Sequence, residues 1–290
     1  MLKVLVTGAN GQVGQELAML SSYYGNLEFI FLDKSQLDIS NEVQVAKVLS
    51  KHNPNYVINA AAYTAVDKAE EDNKKAYLVN HIGAKNLALQ CRKIDCWLLH
   101  ISSDYVYHHN PGRAIREDDV TLPQGVYAKS KLAGDQAVLD SGCNFSILRT
   151  SWVYSSVGSN FVKTMLKYGR EREELSIVCD QFGTPTYAKD IAQGLLHMIQ
   201  HIEEYGPLEE FKAIFNFGNT GLTHWAAFAK RIFELKNIDC HIKNVSTEAY
   251  NAPASRPKWS LLDKTKAQRV WNMRLMPWEL SLKECLSLLD

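Results

Sequence analysis

The seven residues Gly8-Ala9-Asn10-Gly11-Gln12-Val13-Gly14 follow directly on the apolar run 2–6. Glycines spaced G-x-x-G-x-x-G between a strand and a helix fit a loop that wraps a dinucleotide pyrophosphate. A residue without a Cβ at Gly8 permits a tight turn. At Gly11 it lets the backbone approach the phosphates, and at Gly14 it lets helix and strand pack closely. The helix that opens at Gln12 adds unpaired N–H groups and the positive end of its dipole. A chain carrying such a loop at its N-terminus is held to one architecture, an α/β sheet with parallel strands.

The rest of the first half follows that pattern. Apolar runs at 2–6, Leu27–Leu32, Tyr56–Asn59, 97–101 and 145–148 read as buried strands, and amphipathic stretches at 12–21, 42–52, 76–93 and 128–139 read as the helices between them. Near-continuous apolar strands belong to a sheet covered on both faces. Right-handed crossovers then make it doubly wound, with a ligand crevice at the carboxyl ends of the strands. Beyond residue 150 the alternation weakens. One further core strand is expected at 214–217, and helices at 160–168, 190–201, 223–234 and 280–288. The stretch 248–257, with Pro253 and Pro257, is expected to be a loop. The expected organisation is a dinucleotide-binding domain over 1–150 and a smaller substrate-binding lobe over 151–290, partly interleaved with the core.

Composition limits the partners. The 32 basic and 32 acidic side chains cancel, so no basic excess draws the chain to nucleic acid or an anionic membrane. No apolar stretch is long enough to span a bilayer, and the N-terminus has no signal-peptide pattern. A cytoplasmic protein is the expectation. Cys91, Cys96, Cys143, Cys179, Cys240 and Cys285 are scattered without a C-x-x-C pair, which fits reduced buried thiols.

A second motif lies in Tyr127-Ala128-Lys129-Ser130-Lys131, with Ser102-Ser103-Asp104 upstream. Tyr127 and Lys131 are four apart, one helical turn on one face. A free phenol titrates near 10, and bringing it to about 7 takes roughly 4 kcal/mol of preferential phenolate stabilisation. A neighbouring ammonium supplies such a field in a water-poor cleft. Ser103 follows the 97–101 strand, so its hydroxyl falls at the crevice. Together these groups suit hydride exchange with a nicotinamide: Tyr127 gives a proton to the developing alkoxide and Ser103 polarises the same oxygen. Asp33 closes the second strand about 20 residues past the last glycine, where a carboxylate can bond ribose hydroxyls. Lys34 beside it could instead attract a 2′-phosphate, so NADH and NADPH both stay open.

Longer matches resemble the extended short-chain dehydrogenase/reductase superfamily with its Rossmann sheet, and within it the dTDP-4-dehydrorhamnose reductases. They are Gly11-Gln12-Val13-Gly14, Leu37-Asp38-Ile39, Asn59-Ala60-Ala61-Ala62-Tyr63-Thr64-Ala65-Val66-Asp67-Lys68-Ala69-Glu70 and Ser103-Asp104-Tyr105-Val106-Tyr107. Later in the chain come Arg149-Thr150-Ser151-Trp152-Val153-Tyr154, Asn160-Phe161-Val162, the run from Asp180 through Gln181-Phe182-Gly183-Thr184-Pro185-Thr186-Tyr187 to Ala188, and Arg256-Pro257. The resemblance implies NADPH- or NADH-dependent reduction of the 4-keto group of a dTDP-linked deoxyhexose. It implies cofactor contacts from Gln12, Val13, Asp38, Ile39, Ala61, Ala62 and Tyr63. It implies catalysis by Ser103, Tyr127 and Lys131, and contacts to the sugar-nucleotide substrate from Asp104 and Trp152. The chain departs from the family at Ala128, where glycine is usual, at Ser103, where threonine is common, and at Ser155-Ser156 in place of a glycine-containing turn. Some members hold magnesium at a dimer interface. Glu16 matches one such carboxylate, but no partner near the C-terminus matches, so magnesium is left out of the expected cofactors. A homodimer is compatible with the resemblance.

Two rival functions remain at this level. An epimerase or dehydratase on the same scaffold is one, but dehydration needs a second carboxylate after Asp104, where Tyr105 stands. A non-catalytic, NADP-binding regulatory subunit is the other, against which Tyr127, Lys131 and the Trp152 segment are all retained. His197 and His201 are expected on a surface helix, His108-His109 in a loop after the catalytic strand that is solvent-exposed or else lines the substrate mouth, and Trp225, Phe228 and Ile232 in the core.

Overall fold

The computed structural model describes residues 1–289. Its first half alternates strand and helix: β1 (Leu2–Thr7), α1 (Gln12–Leu20), β2 (Leu27–Leu32), α2 (Glu42–His52), β3 (Tyr56–Asn59), α3 (Val66–Glu71), α4 (Asn73–Tyr77), α5 (Ala84–Ile94), β4 (Trp97–Ser103), α6 (Gly125–Leu139) and β5 (Asn144–Thr150). The second half adds α7 (Phe161–Glu171), α8 (Ala188–Tyr205), a sixth sheet strand (Ile214–Asn216), α9 (Trp225–Lys236), α10 (Thr247–Tyr250), α11 (Thr265–Val270) and α12 (Trp278–Ser287).

The sheet order is sixth strand, β5, β4, β3, β1, β2, and every pairing is parallel. Strand order reverses between β1 and β3, which opens a crevice at their carboxyl ends. Period-two alternation divides the strand side chains between two cores. Val4, Val6, Ile58 and Leu99 face α1 and α8, whereas Leu5, Val57, Leu98 and Ile147 face α2, α5 and α6. Replacing one of these fully enclosed side chains by alanine costs about 2–5 kcal/mol, because the packed sheet cannot close over the void.

The chain returns to this sheet after residue 150. The sixth strand pairs with β5 from Ile214↔Ile147 to Asn216↔Arg149, and α8 buries Ile191, Leu195, Ile199 and Ile202 beside α1. A separate apolar cluster joins α7, α9 and α12 around Val162, Phe228, Ile232 and Leu282. Phe228 and Ile232 are buried as their spacing suggests, with Trp225 packed against the edge of that cluster.

Three local expectations are corrected. The helix expected over 76–93 is broken by a π-helical turn at Leu78–Gly83. Within it the buried Asn80 side chain accepts from Tyr63 N (2.8 Å) and donates to Tyr63 O (3.1 Å) and Ser130 Oγ (3.0 Å). Such widened turns recur where a helix must aim a polar group inward. The histidines on α8 are half-buried rather than solvated: the His197 ring nitrogen bonds Trp271 O at 2.7 Å, and His201 packs on Tyr205 and Phe211. The stretch 248–257 begins inside α10 and is then tied down, with Arg256 forming two hydrogen bonds to the Asp67 carboxylate (3.0 and 2.7 Å). Among the described residues the cysteines are free thiols, four buried and Cys179 and Cys240 half-buried. No helix among them is long and apolar enough to cross a membrane.

Candidate active site

The glycine loop closes the carboxyl end of β1. Gly8 has φ +69°, and a Cβ there would stand 2.6 Å from Ala61 N. A Cβ at Gly14 would stand 2.4 Å from Gly8 O, so α1 lies directly on the loop. Gly11 caps α1 with no side chain over the first turn, and that turn carries no acidic residue. Its free N–H groups therefore face the crevice with the positive helix end behind them. Gly8→Ala combines a disfavoured backbone with a collision against main chain, a strain of about 1–3 kcal/mol. We expect it to raise the dissociation constant for a nicotinamide dinucleotide at least about tenfold, measured by calorimetry.

Two cavities meet at this loop. One, of about 490 Å³, is lined by Gly8, Asp33, Asp38, Ile39, Ala61, Ala62 and Tyr63. The other, of about 520 Å³, is lined by Gln12, Val13, Ser103, Asp104, Tyr127, Lys131 and Trp152. Asn10, Gly11, Ala60, Ala62 and Thr64 border both, so they form one crevice. Every residue singled out in the sequence as a cofactor, catalytic or sugar contact lines it.

At the first end, Asp33 Oδ1 accepts from Ser35 N (2.8 Å) and Ser35 Oγ (2.6 Å), and Oδ2 accepts from Asn10 (3.0 Å). Those bonds hold its pKa below the ordinary carboxylate value. Asp38 is lowered likewise, first by Ser40, whose hydroxyl donates to Oδ1 at 2.6 Å. Both carboxylates are ionised at neutral pH and fixed in direction.

At the second end, β4 delivers Ser103 and the first turns of α6 deliver Tyr127 and Lys131. The Ser103 hydroxyl donates to Asp104 Oδ1 at 3.1 Å and accepts from Tyr105 N at 3.2 Å. Lys131 is 2% exposed, and its Nζ donates to Ile101 O at 2.7 Å. Burial pushes the Tyr127 phenol up to about 12, with Ser103 pulling the other way and Asp104 and Asp135 adding to the rise. Burial pushes Lys131 down to about 8, opposed by Asp135. The phenol is thus firmly protonated without a bound cofactor, rather than poised near 7. Asp104 is pushed up to about 6 by burial, offset by Ser260 and Ser103. Its carboxylate is 2% exposed and already engaged by Ser103, a tighter setting than an open acceptor for a sugar hydroxyl.

Trp152 is a bulky residue at φ +49°, where only glycine and asparagine sit easily. The strain is held by stacking on Trp225 (centroids 3.8 Å apart, 14° between planes) and by the close approach of Gly183, whose added Cβ would lie 3.0 Å from the indole. Asn160, quoted in the sequence only as part of a family match and given no role, donates to Gln12 Oε1 at 2.9 Å and lines the same cavity. Asn59 likewise had no role beyond a family match, and Asn80 and Asp135, polar residues inside apolar elements, were not singled out. His108 and His109, expected either in solvent or at the substrate mouth, are half-buried in the wall of a further cavity of about 430 Å³ beside Arg256 and Lys258. Glu16 is 2% exposed and accepts from Ser155 Oγ at 2.5 Å, with Lys189 nearby. Among the described residues no group of three His, Cys, Asp or Glu side chains is placed to hold a metal.

A parallel sheet with a glycine loop at its switch point and a Ser–Tyr–Lys set beside it define the short-chain dehydrogenase/reductase class. Within that class the chain belongs to the dTDP-4-dehydrorhamnose reductase family, and the family model described as RmlD substrate binding domain matches residues 2–290. It is similar to the spore coat polysaccharide biosynthesis protein SpsK of Bacillus subtilis, 37% identical across 99% of this chain and 97% of that one. Among solved structures, it is similar to a dTDP-4-dehydrorhamnose reductase from Clostridium acetobutylicum, with TM-score 0.92, 39% identity and 99% of each chain covered. A dTDP-4-dehydrorhamnose reductase from Bacillus anthracis, solved in complex with NADP, aligns with TM-score 0.91 and 37% identity, again over 99% of each chain.

Proposed function

We propose that this chain reduces the 4-keto group of dTDP-4-dehydro-6-deoxy-L-mannose to dTDP-L-rhamnose, using NADPH or NADH. The observation that carries the reading is the convergence of the Ser103 hydroxyl, the Tyr127 phenol and the Lys131 ammonium in one crevice continuous with the glycine loop. The relatives' names supply the substrate; the geometry supplies the chemistry.

The residues present fit a nicotinamide dinucleotide. The space that a Cβ at Gly8 would fill is backbone-lined, and the uncapped start of α1 offers donors to a diphosphate. Asp33 and Asp38 would take ribose hydroxyls, while Ile39, Ala61, Ala62 and Tyr63 would flank the adenine. Gln12 and Val13 would lie along the route to the nicotinamide. When bound, the reduced cofactor supplies a hydride to C4 of the sugar.

As charge builds on the C4 oxygen, Tyr127 gives up its phenolic proton to it, and the product is an alcohol. Ser103 donates a hydrogen bond to the same oxygen, stabilising it where the charge appears. The phenolate left behind is stabilised by the Lys131 ammonium. Trp152 presents a flat apolar face, held rigid by its stacking, to the deoxysugar. To bond the C4 oxygen, the Ser103 hydroxyl turns its one proton from Asp104 Oδ1 to the sugar, while Tyr105 N goes on holding Oγ.

The test is oxidation of NADH and of NADPH with the dTDP-4-keto-6-deoxy-L-hexose, against the UDP and GDP analogues. Stoichiometric cofactor oxidation with formation of dTDP-L-rhamnose is the expected result. Turnover without net cofactor consumption would indicate an epimerase or dehydratase, and cofactor binding with no turnover of any keto-sugar nucleotide a regulatory subunit.

A further inference from the structure

We propose that Asp135, held by Arg149 on β5 and faced by the neutral His100 ring, is a positioning residue for the Lys131 ammonium. This inference rests on the role given to Lys131 above, and its test is chosen to read Lys131 directly.

Tyr127, Lys131 and Asp135 recur every four residues on α6, so one face of that helix carries the phenol, the ammonium and the carboxylate in sequence. Asp135 is fully buried, and a lone buried carboxylate is strongly disfavoured. One oxygen is accounted for: Arg149 Nε donates to Oδ2 at 3.0 Å, and Arg149 Nη1 donates to the Tyr107 hydroxyl at 2.6 Å. The other oxygen, Oδ1, has no hydrogen-bond partner although it is shut off from solvent. The ammonium one turn away bonds Ile101 O and makes no ion pair within 4.0 Å of this carboxylate, so Asp135 acts on it through the field of a buried charge.

Across from Asp135 Oδ1 stands the His100 ring, whose tautomer is set by its neighbours. Thr7 Oγ1 donates to Asn59 Oδ1 at 2.8 Å, which orients the Asn59 amide. Asn59 Nδ2 then donates to His100 Nδ1 at 2.9 Å, so the His100 proton sits on Nε2. That Nε2 lies 3.9 Å from Asp135 Oδ1 and has no other partner. His100 itself is held neutral, first by burial and then by the Lys131 charge. Asn59 Oδ1 also accepts from Ala61 N at 3.3 Å, and Ala61 is the residue against which Gly8 closes. Hydrogen bonds thus run from the dinucleotide loop through Thr7 and Asn59 to His100, whose Nε2 proton faces Asp135 Oδ1 across 3.9 Å.

The titratable groups around Lys131 are Tyr127 and Asp135 on its own helix, His100 on β4, Arg149 on β5 and Asp104 on the turn after β4. Glu70 on α3 meets only the start of α6, accepting from Val126 N at 2.8 Å. The π-helical turn offers the neutral Asn80, bonded to Ser130. Among these, Asp135 is the charge that favours protonated Lys131. Arg149 is itself engaged by Asp135, which pairs that buried cation directly.

The experiment is a titration of the lysine side chains by nitrogen-detected magnetic resonance, in the whole protein without cofactor. The Lys131 signal is identified by its loss in Lys131→Met. In Asp135→Asn the Lys131 midpoint should fall by about one pH unit or more. Asp135→Glu should restore most of it. In turnover assays the alkaline limb of kcat/KM should move down with it. Where Asp135→Asn does not fold, the same change is made in an Arg149→Gln background and compared with Arg149→Gln alone, with the same downward shift expected. An unchanged Lys131 midpoint in the folded variant, with or without lost thermal stability, overturns the proposal and leaves Asp135 a structural partner of Arg149. Failure of the reductase reading appears separately, as absent turnover in the unaltered protein.

Discussion

Tyr127→Phe should lower kcat for the keto-sugar nucleotide by about 10³-fold or more, a loss of about 4 kcal/mol of transition-state stabilisation, while leaving the dissociation constant of the dinucleotide within about twofold. The substitution removes one oxygen and little else. The ring keeps its edge-on contact with Tyr105 (centroids 5.3 Å apart, planes at 84°), and the backbone at the start of α6 stays anchored by Glu70. The phenol is pushed up to about 12 by burial, so it is a full proton reservoir at neutral pH. Without it, the alkoxide must take its proton from water, which the enclosed crevice restricts. Ser103 stays, and its hydrogen bond to the reacting oxygen should sustain the small residual rate. Single-turnover kinetics with bound reduced cofactor separate this step from product release. Turnover within about tenfold of the unaltered protein would remove Tyr127 as the acid. A matching loss of cofactor affinity would instead make the phenol a binding group.

That such a test can be framed from sequence at all reflects which signals survive burial. The strands of a sheet covered on both faces are continuous apolar runs, so β1 through β5 were legible, and with them the crevice where Gly8 and Ser103 meet. Tyr127 and Lys131 were legible because helical spacing alone aligns them, and β4 then sets Ser103 beside them. The family resemblance added Trp152 and the expected cofactor contacts Asp38, Ile39, Ala61, Ala62 and Tyr63, all of which line the crevice. Polar groups inside apolar elements were not legible. On α6, Ser130, Lys131 and Asp135 are as buried as Ala128 and Val138, so that helix has no polar stripe to mark its outer face. Asp135, His100 and Asn59 are explained only by partners far away in sequence, such as Arg149 and Thr7. Asn80 required a π-helical turn that no local pattern announces. The half-burial of His201 followed from Phe211 and Trp271, which the chain brings back over α8 from later segments. Trp152 could be named as a contact, but its left-handed backbone could not, because nothing in its neighbours in sequence requires it.

Lys131→Met should lower kcat/KM by about 10²–10³-fold, by removing the charge that steadies the phenolate, and should separate two pH dependences that coincide in the unaltered protein. Lys131 is pushed down to about 8 by burial, from an ordinary value of 10.5. Activity that needs the ammonium should therefore be flat below about pH 8 and fall above it. Stability moves the other way. Between about 8 and 10.5 the unfolded chain binds a proton at this lysine that the folded chain has released, so folding is favoured as pH rises through that window. Below about 8 both states carry the charge, and the cost of burying it is fully felt. Lys264, also pushed down to about 8 by burial, adds to the same slope. Comparison with Lys131→Met isolates the share of Lys131: the variant should gain less stability than the unaltered protein between pH 8 and 10, measured by urea unfolding across that range. The Met side chain fills similar volume, but it leaves Ile101 O without its donor, at a cost of about 1–3 kcal/mol. Residual turnover in Lys131→Met should consequently lose its alkaline limb near pH 8. Persistence of that limb in the variant would show that another group sets it, and would detach Lys131 from the proton transfer.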